Sequence, residues 1–481
     1  MNEYPIPLGR RRFLKGAAGI GAGLAAGSWL SSCGSDSTAS SSSSTPIGSS
    51  GTTGATASST AQTSSSGATK LWIMFDEATT NLTPEEIAQF EGENNVKLTI
   101  ELFDLLKYNA AVAAGAPPDL ARTQGAPEMP NLVARGLVEN LDPYFAKSTL
   151  MKPDDFAAIT GVYRFDGTKS DAGPIYGFPI DYSQDGMLWM NTEHFDEINE
   201  PVPSADRALS YDELLEIGKR LTKRDGDTIT QYGLDLSWGF VEQGKIAQLA
   251  AQQGSQLWSD DLTKVDFQQP EVRKAFQYFV DWAQARVGSS PLDPLPDWNG
   301  PTYNARRMSI IAYGYWFRGW INGVSSGDDT GDLIDKSAFR PAPQMGSNRI
   351  DACWSGTGMF IPSKAANKEL AFKFLEFMFG GSPATRHFEG GAGLPGLKSQ
   401  EALLPQKTPV DQAQFDVQTK NLKYFVPLRF SPYVDGAAMQ AAIASAIEPV
   451  MRGENELEPA LEQLQREAES IIASGKELLG G

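Results

Sequence analysis

The residues of this sequence most able to do chemistry are aromatic and acidic. Ten tryptophans and fourteen tyrosines offer flat apolar platforms, and Asp, Glu, Asn, Gln and Arg near several of them offer hydrogen-bonding groups at a platform's edge. A ligand with C–H faces and a rim of hydroxyls needs that combination. Trp238 and Phe240 lie in LDLSWGFVEQG, a strand-to-helix loop where two large exposed rings are costly unless a ligand or a neighbouring helix covers them. Trp282 falls on an amphipathic helix, and Trp72, Trp189 and Trp258 are expected in packing. Asp181 and Asp185 have the residue types of a carboxylate pair acting on a glycosidic bond. A binding cleft uses carboxylates as well, so the pair does not discriminate.

Other catalytic patterns fail on their surroundings. Gly323-Val324-Ser325-Ser326-Gly327 has the spacing of a nucleophile elbow, yet it runs into Asp328, Asp329 and a loop where the elbow requires a helix. Gly391-x-Gly393-x-x-Gly396 has the spacing of a dinucleotide loop, but Pro395 lies inside it and no strand leads in, so it reads as a turn. The histidines are His194 and His387 and the cysteines Cys33 and Cys353, too few for a Cys/His zinc site. Asp328, Asp329, Asp332 and Asp335 lack the spacing of a calcium loop and read as a solvated face. A net charge of -18 with no basic stripe argues against nucleic acid. No catalytic residue, cofactor or metal is expected.

The elements that must position these residues follow from length and pattern. A chain of 481 residues exceeds what one core supports, and about two lobes are expected. Arg10-Arg11-Arg12-Phe13-Leu14-Lys15 precedes an apolar Gly/Ala-rich run that ends in Leu30-Ser31-Ser32-Cys33. Residues 1–32 resemble a twin-arginine lipoprotein leader, whose cysteine, here Cys33, becomes the lipidated first residue and leaves Cys353 without a disulfide partner. Removing the leader takes away four basic residues and one acidic one and deepens the charge to -21. From Cys33 to 69 the chain is nearly all Ser, Thr, Gly and Ala, a disordered tether with an r.m.s. span of roughly 33 Å. The folded body starts at KLWIMF, a buried strand. Thr83-Pro84-Glu85-Glu86 opens a helix, and Val96, Leu98, Ile100 and Leu102 alternate as a second strand. A helix around 108–114 and a short strand near 119–121 follow, so the expected class is α/β with a mostly parallel sheet. Ser210-x-x-Glu213 is a capping box, Pro270 opens a helix with Val272, Phe276, Phe279, Val280 and Ala283 on one face, and Leu457, Leu461, Leu464, Ala468 and Ile471 stripe the last helix.

Five phrases in order carry a resemblance. They are AAGAPPDLARTQGAPEMPNLVARGLVENLDPYF at 113–145, YGFPIDYSQDGMLWMNTEHF at 176–195, ARRMSIIAYGYWFRGW at 305–320, GTGMFIPSKAANKELAFKFLEFM at 356–378 and GAGLPG at 391–396. Together they resemble the family 1 extracellular solute-binding proteins of sugar ABC importers. The resemblance implies a two-lobed periplasmic-binding-protein-like fold with a hinge and an interlobe ligand cleft. It implies lobe 1 from 70–179 plus 342–393 and lobe 2 from 180–341 plus 394–481, with crossings near Phe178–Tyr182, Phe339–Pro343 and Gly393–Gly396. It further implies a carbohydrate ligand, membrane permease subunits as partners, and a lipid-anchored place on the outer face of the cell membrane.

By the same resemblance Trp316 is the cleft tryptophan that stacks on sugar, with core packing at a strand-to-helix turn as its alternative. Trp354, before a glycine-rich stretch, lies by the cleft or packs. Asp76 and Glu77 follow the first strand where the family has a polar pair. The family's further Asp-Lys is here Ala78-Thr79, and its tryptophan after Pro-Asp is here Thr123, next to Gln124, so a polar contact replaces a platform. Asp181, Tyr182, Gln184 and Asp185 follow the first crossing, and Tyr433, with Arg429 and Asp435 nearby, falls where the family supplies another ring. A non-sugar cargo such as a polyamine and a cell-surface glycoside-active enzyme remain the alternatives at this point.

Overall fold

The computed structural model describes residues 68–76, 82–239, 241–296 and 298–480. The leader, Cys33, nearly all of the tether, Glu77 and Phe240 lie outside the described residues.

KLWIMF forms the strand Thr69–Phe75, in which Leu71, Ile73 and Met74 are fully buried. Parallel neighbours flank it on both sides, Val96–Leu102 and Leu120–Thr123. Gly358–Phe360 pairs antiparallel with the latter, and Gly177–Pro179 closes the five-stranded sheet, antiparallel to Gly358–Phe360. In a second, three-stranded sheet Leu188–Asn191 is central and antiparallel to both Ile310–Ala312 and Ser337–Arg340. Side chains alternate across it: Leu188, Met190, Ile310 and Ala312 enter one core, while Trp189, Ile311 and Phe339 enter the other.

The fold is α/β and two-lobed, but the five-stranded sheet is mixed and the three-stranded one antiparallel where a mostly parallel sheet was expected. Strand direction explains the difference. A strand that enters a lobe from a crossing begins at the cleft edge, whereas one that leaves ends there, and each lobe is visited more than once.

The helices begin where the sequence places their caps. Thr83 and Glu86 make a reciprocal capping box on Pro84–Asn94, and Ser210 and Glu213 make another on Tyr211–Leu221. Pro270–Gln284 buries Val272, Phe276, Phe279, Val280 and Ala283, and Trp282 is fully buried with them. Leu457–Leu478 buries Leu461, Leu464 and Ala468 against the same core. Among the described residues no helix is long and apolar enough to cross a membrane.

Two stretches lie differently from the expected lobe division. Residues 342–354 serve the second lobe. The Gln252 amide donates to the Pro343 and Ile350 carbonyls at 3.0 and 2.9 Å, and its oxygen accepts from Met345 N at 2.9 Å. The reason is that irregular buried backbone must find partners, and the helix Glu242–Gln252 supplies them through buried glutamines. The second passage between sheets therefore falls after Arg340 and before Gly358. Residues 394–403 instead pack on first-lobe elements, where Gly396 O accepts from Ala157 N at 2.9 Å and the Gln400 amide donates to Phe379 O at 2.9 Å.

The crossings are laced together by backbone. Tyr182 and Leu394 exchange both hydrogen bonds, at 3.0 and 2.9 Å, and Asp185 N donates to Ala352 O at 3.0 Å. Gly393 has φ 103, and a side chain there would collide with Asp181. The glycine pattern at 391–396 is thus a turn fitted between Arg318 and Asp181.

Candidate ligand cleft

Strand direction brings the predicted polar residues to one edge of the first sheet. Thr69–Phe75, Leu120–Thr123 and Gly177–Pro179 all end there, and Gly358–Phe360 begins there. Asp76, Gln124, Asp181 and Thr357 are the residues just beyond those ends. The second sheet presents its own edge to the crossing. Tyr232 to Asp235 runs parallel to Met308 to Ile311 through isolated bridges, so the segments that follow, with Trp238 on one and Tyr313 to Trp316 on the other, emerge side by side. Carboxyl-end edges of this kind, set about a crossing, are where open α/β sheets hold ligands.

Trp316 stands at the first crossing: its backbone N–H donates to the Ser183 hydroxyl at 2.6 Å. It is half-buried and belongs to an aromatic group. Its ring lies 6.1 Å from that of Trp298 at an interplanar angle of 28° and 5.1 Å from Tyr313, while Trp298 packs edge-on to Trp320 at 4.3 Å. Trp298 and Trp320 are also half-buried. Trp238 is half-buried against Phe279 at 5.3 Å, and its indole N–H is buried with no hydrogen-bond partner among the described residues.

The polar candidates divide into paired rim and buried floor. Asp76 is ion-paired with the buried Arg122 at 2.7 Å. Asp181 Oδ2 lies 3.0 Å from His387 Nε2. Gln124 accepts a weak 3.4 Å bond from the Thr357 hydroxyl. Thr123 is buried and donates to Glu128 Oε2 at 2.8 Å, so it supports the loop and does not contact the cleft; burial raises the Glu128 carboxyl above its ordinary range.

Gln184 is fully buried, donating to Asn421 O at 2.9 Å and accepting from Gln418 at 2.8 Å. Asp185 is 5% exposed and accepts the Trp354 N–H at 2.7 Å. Trp354 is 3% exposed, its indole donating to Gln248 at 2.7 Å with the Lys245 ammonium 5.1 Å from the ring centre. These three hold the crossing together, and Trp354 offers no open face. Tyr182 is buried edge-on to Phe425 at 5.5 Å, and burial pushes its hydroxyl well above the usual tyrosine range. Tyr433 lines a separate groove of about 560 Å³ with Val133, Phe165, Tyr176 and Pro432, whose lining shares no residue with the two strand edges. Nearby, Asp435 caps Gly436–Met451.

Sequence reasoning did not single out Trp298, Tyr313, Trp320 or the buried Lys245. Trp320 ends the quoted phrase ARRMSIIAYGYWFRGW, four residues after Trp316 and so on the same side of the short helix Phe317–Ile321, a usable signal. The supposed elbow at Ser325 is a turn inside 322–326, bonded from Ser325 N to Gly319 O at 2.8 Å. Among the described residues no group of three His, Cys, Asp or Glu side chains is placed to hold a metal ion.

Comparison with known proteins gives the geometry its family. The model for bacterial extracellular solute-binding proteins matches residues 85–413. No curated protein sequence matches the chain significantly. Among solved structures, an ABC substrate-binding protein from Listeria monocytogenes in complex with cycloalternan aligns with a TM-score of 0.68 at 18% identity, over 86% of this chain and 98% of that one. A solute-binding protein of an ABC transporter from Thermotoga lettingae bound with α-D-tagatose gives 0.69 at 18%, over 84% and 100%. The maltose/maltodextrin-binding domain from Bdellovibrio bacteriovorus bound to maltotriose gives 0.63 at 16%, over 84% and 99%. At such identities the likeness is one of fold. Since the family model spans well over half of the sequence, this chain belongs to the bacterial extracellular solute-binding proteins.

Proposed function

We propose that this protein captures a carbohydrate of oligosaccharide size in the cleft between its lobes and delivers it to the permease subunits of an ABC importer, held at the outer face of the cell membrane by lipid on Cys33. The observation that carries the reading is the aromatic group at the crossing. Trp316 and Trp298 are two near-parallel half-buried indoles, with Tyr313 beside Trp316, the kind of aromatic surface on which sugar C–H faces stack. Solved structures of the same fold that hold cycloalternan and maltotriose support the same class of cargo. Closure works by population shift: a ligand that touches both edges only in the shut form stabilises that form by its extra contacts.

The alternatives fare worse on the side chains. A polyamine needs unpaired carboxylates, but Asp76 is held by Arg122, Asp181 by His387 and Asp185 by the Trp354 N–H. A glycosidase needs Asp181 and Asp185 flanking a bond, yet Asp185 lies buried beneath the crossing. The test is a thermal-shift screen with cycloalternan, maltotriose, mannotriose and tagatose beside spermidine. Stabilisation by a sugar, and intact sugar after long incubation, is expected. Stabilisation by spermidine alone, or new reducing ends forming in proportion to protein, would overturn the reading.

A further inference from the structure

The turn that carries Trp238 is held in an unfavourable shape. Ser237 has φ 57, Gly239 φ 89 and Val241 φ 53, and a β-branched residue in the left-handed region is costly. Something must over-determine this turn. On one side Asp235 Oδ1 accepts the Ser237 N–H at 2.6 Å, while Asp235 Oδ2 accepts from Ser289 N at 2.8 Å. On the other, the Lys245 ammonium donates to the Ser237 carbonyl.

Lys245 is 1% exposed and reaches two places at once. Its nitrogen bonds the aromatic turn and also lies 5.1 Å from the centre of the ring of Trp354, whose backbone N–H donates to Asp185 of the first crossing and whose indole N–H donates to Gln248. The charged groups that face it are Glu242 on its own helix, Asp235 at the turn and Asp185 at the crossing, with Glu448 of Gly436–Met451 behind Glu242. One buried cation thus joins the turn that carries Trp238 to the first crossing.

We propose that Lys245 is a positioning residue which, as a cation, locks the Trp238 turn against the Asp185–Trp354 crossing and so sets the affinity of the cleft. This rests on the carbohydrate reading only for its effect on affinity; the locking is a property of the unliganded protein. Burial lowers the Lys245 pKa to about 8, with Glu242, Asp235 and Asp185 opposing that shift. Burial likewise raises Glu242 to about 7. The sign follows: the locked form persists below pH 8 and is lost above it, and neutralising Glu242 removes support for the Lys245 proton and moves the loss to lower pH.

The experiment uses 5-fluorotryptophan-labelled protein, with the Trp238 and Trp354 resonances assigned by Trp→Phe variants, followed by 19F NMR from pH 6.5 to 9.5. Both resonances are expected to titrate together near pH 8 in the wild type, to titrate at lower pH in Glu242→Gln, and to stay flat in Lys245→Met. In parallel, the Kd of the best-bound sugar among cycloalternan, maltotriose, mannotriose and tagatose should rise by up to about tenfold per pH unit above the midpoint. Resonances that do not move across this range in the wild type overturn the proposal whatever the sugars do, as does a titration that survives in Lys245→Met. If Lys245→Met does not fold, the wild type and Glu242→Gln decide alone. Titrating resonances with no sugar bound at any pH would sink the carbohydrate reading and leave the lock standing.

Discussion

Truncating Trp316 to alanine separates a platform from a packing residue. A fully buried tryptophan cut to alanine costs about 3–5 kcal/mol of stability. Trp316 is half-buried and touches Trp298, Tyr313 and Phe317 by ring contact. Its truncation should therefore cost about half as much, near 2 kcal/mol. Losing a stacking face should weaken sugar binding by about 1–3 kcal/mol, roughly tenfold to a hundredfold. Trp282 is the control, since it is fully buried and its indole donates to Leu234 O at 2.9 Å. Trp282→Ala should lose the full stability increment and, measured well below its transition, keep its affinity. Titration calorimetry with the best-bound sugar and denaturant unfolding of the unliganded protein read the two quantities. If Trp316→Ala loses as much stability as Trp282→Ala and binds sugar as well as wild type, Trp316 is a core residue and the reasoning fails.

Three further outcomes are expected. Cys33→Ala should move the exported protein from the membrane pellet to the soluble fraction; unchanged pelleting would exclude a lipid anchor at that residue. Arg318→Met should cost about 3–5 kcal/mol in denaturant unfolding, because the guanidinium is 4% exposed and ties Asp411, Gln414 and the Gly390 carbonyl together, leaving a part-buried carboxylate unpaired when it goes. Asp351 is 1% exposed, and burial raises its carboxyl to about 7 against the opposing charge of Arg349. The folded state therefore binds its proton more tightly than the unfolded chain, and Asp351 removes stability as pH rises from about 4 to 7. Asp351→Asn should melt higher than wild type at pH 8 and close to it at pH 4; equal melting at pH 8 would refute the assignment.

The sequence made the elements legible where local chemistry decides them. The Thr83 and Ser210 capping boxes, the Pro270 start and the Leu461, Leu464, Ala468 stripe were all readable without tertiary knowledge. Sheet direction was not, because Gly358–Phe360 takes its orientation from where the chain re-enters the lobe, a long-range fact with no local signature. The candidate site was legible in part. Trp316 was found through the phrase around it, whereas Trp298 sits in an aperiodic loop that carries no pattern. The helix Glu242–Gln252 carries the least legible part of the fold. EQGKIAQLAAQ looks like a solvated face, yet Glu242, Gln243, Lys245, Gln248 and Gln252 are all buried, several of them because irregular backbone beside the helix needs their amides. Composition alone cannot tell a polar residue that faces water from one that stands in for it.

The position of Gly358–Phe360 between Leu120–Thr123 and Gly177–Pro179 has a consequence for the newborn chain. When a ribosome has delivered residues only as far as Arg340, all three strands of the smaller sheet exist, but the larger sheet still has a gap between its third strand and its edge strand. Two strands face that gap with unpaired amides and carbonyls, an invitation to pair with another chain. The two sheets therefore close against the order in which they begin: the larger sheet, started first, is completed after the smaller one, by a long-range pairing that is slow to find. A chain truncated just before Gly358 should accordingly possess every strand of the smaller sheet, though not the helices Gly436–Met451 and Leu457–Leu478 that complete its core, while presenting the larger sheet as an open, aggregation-prone slot.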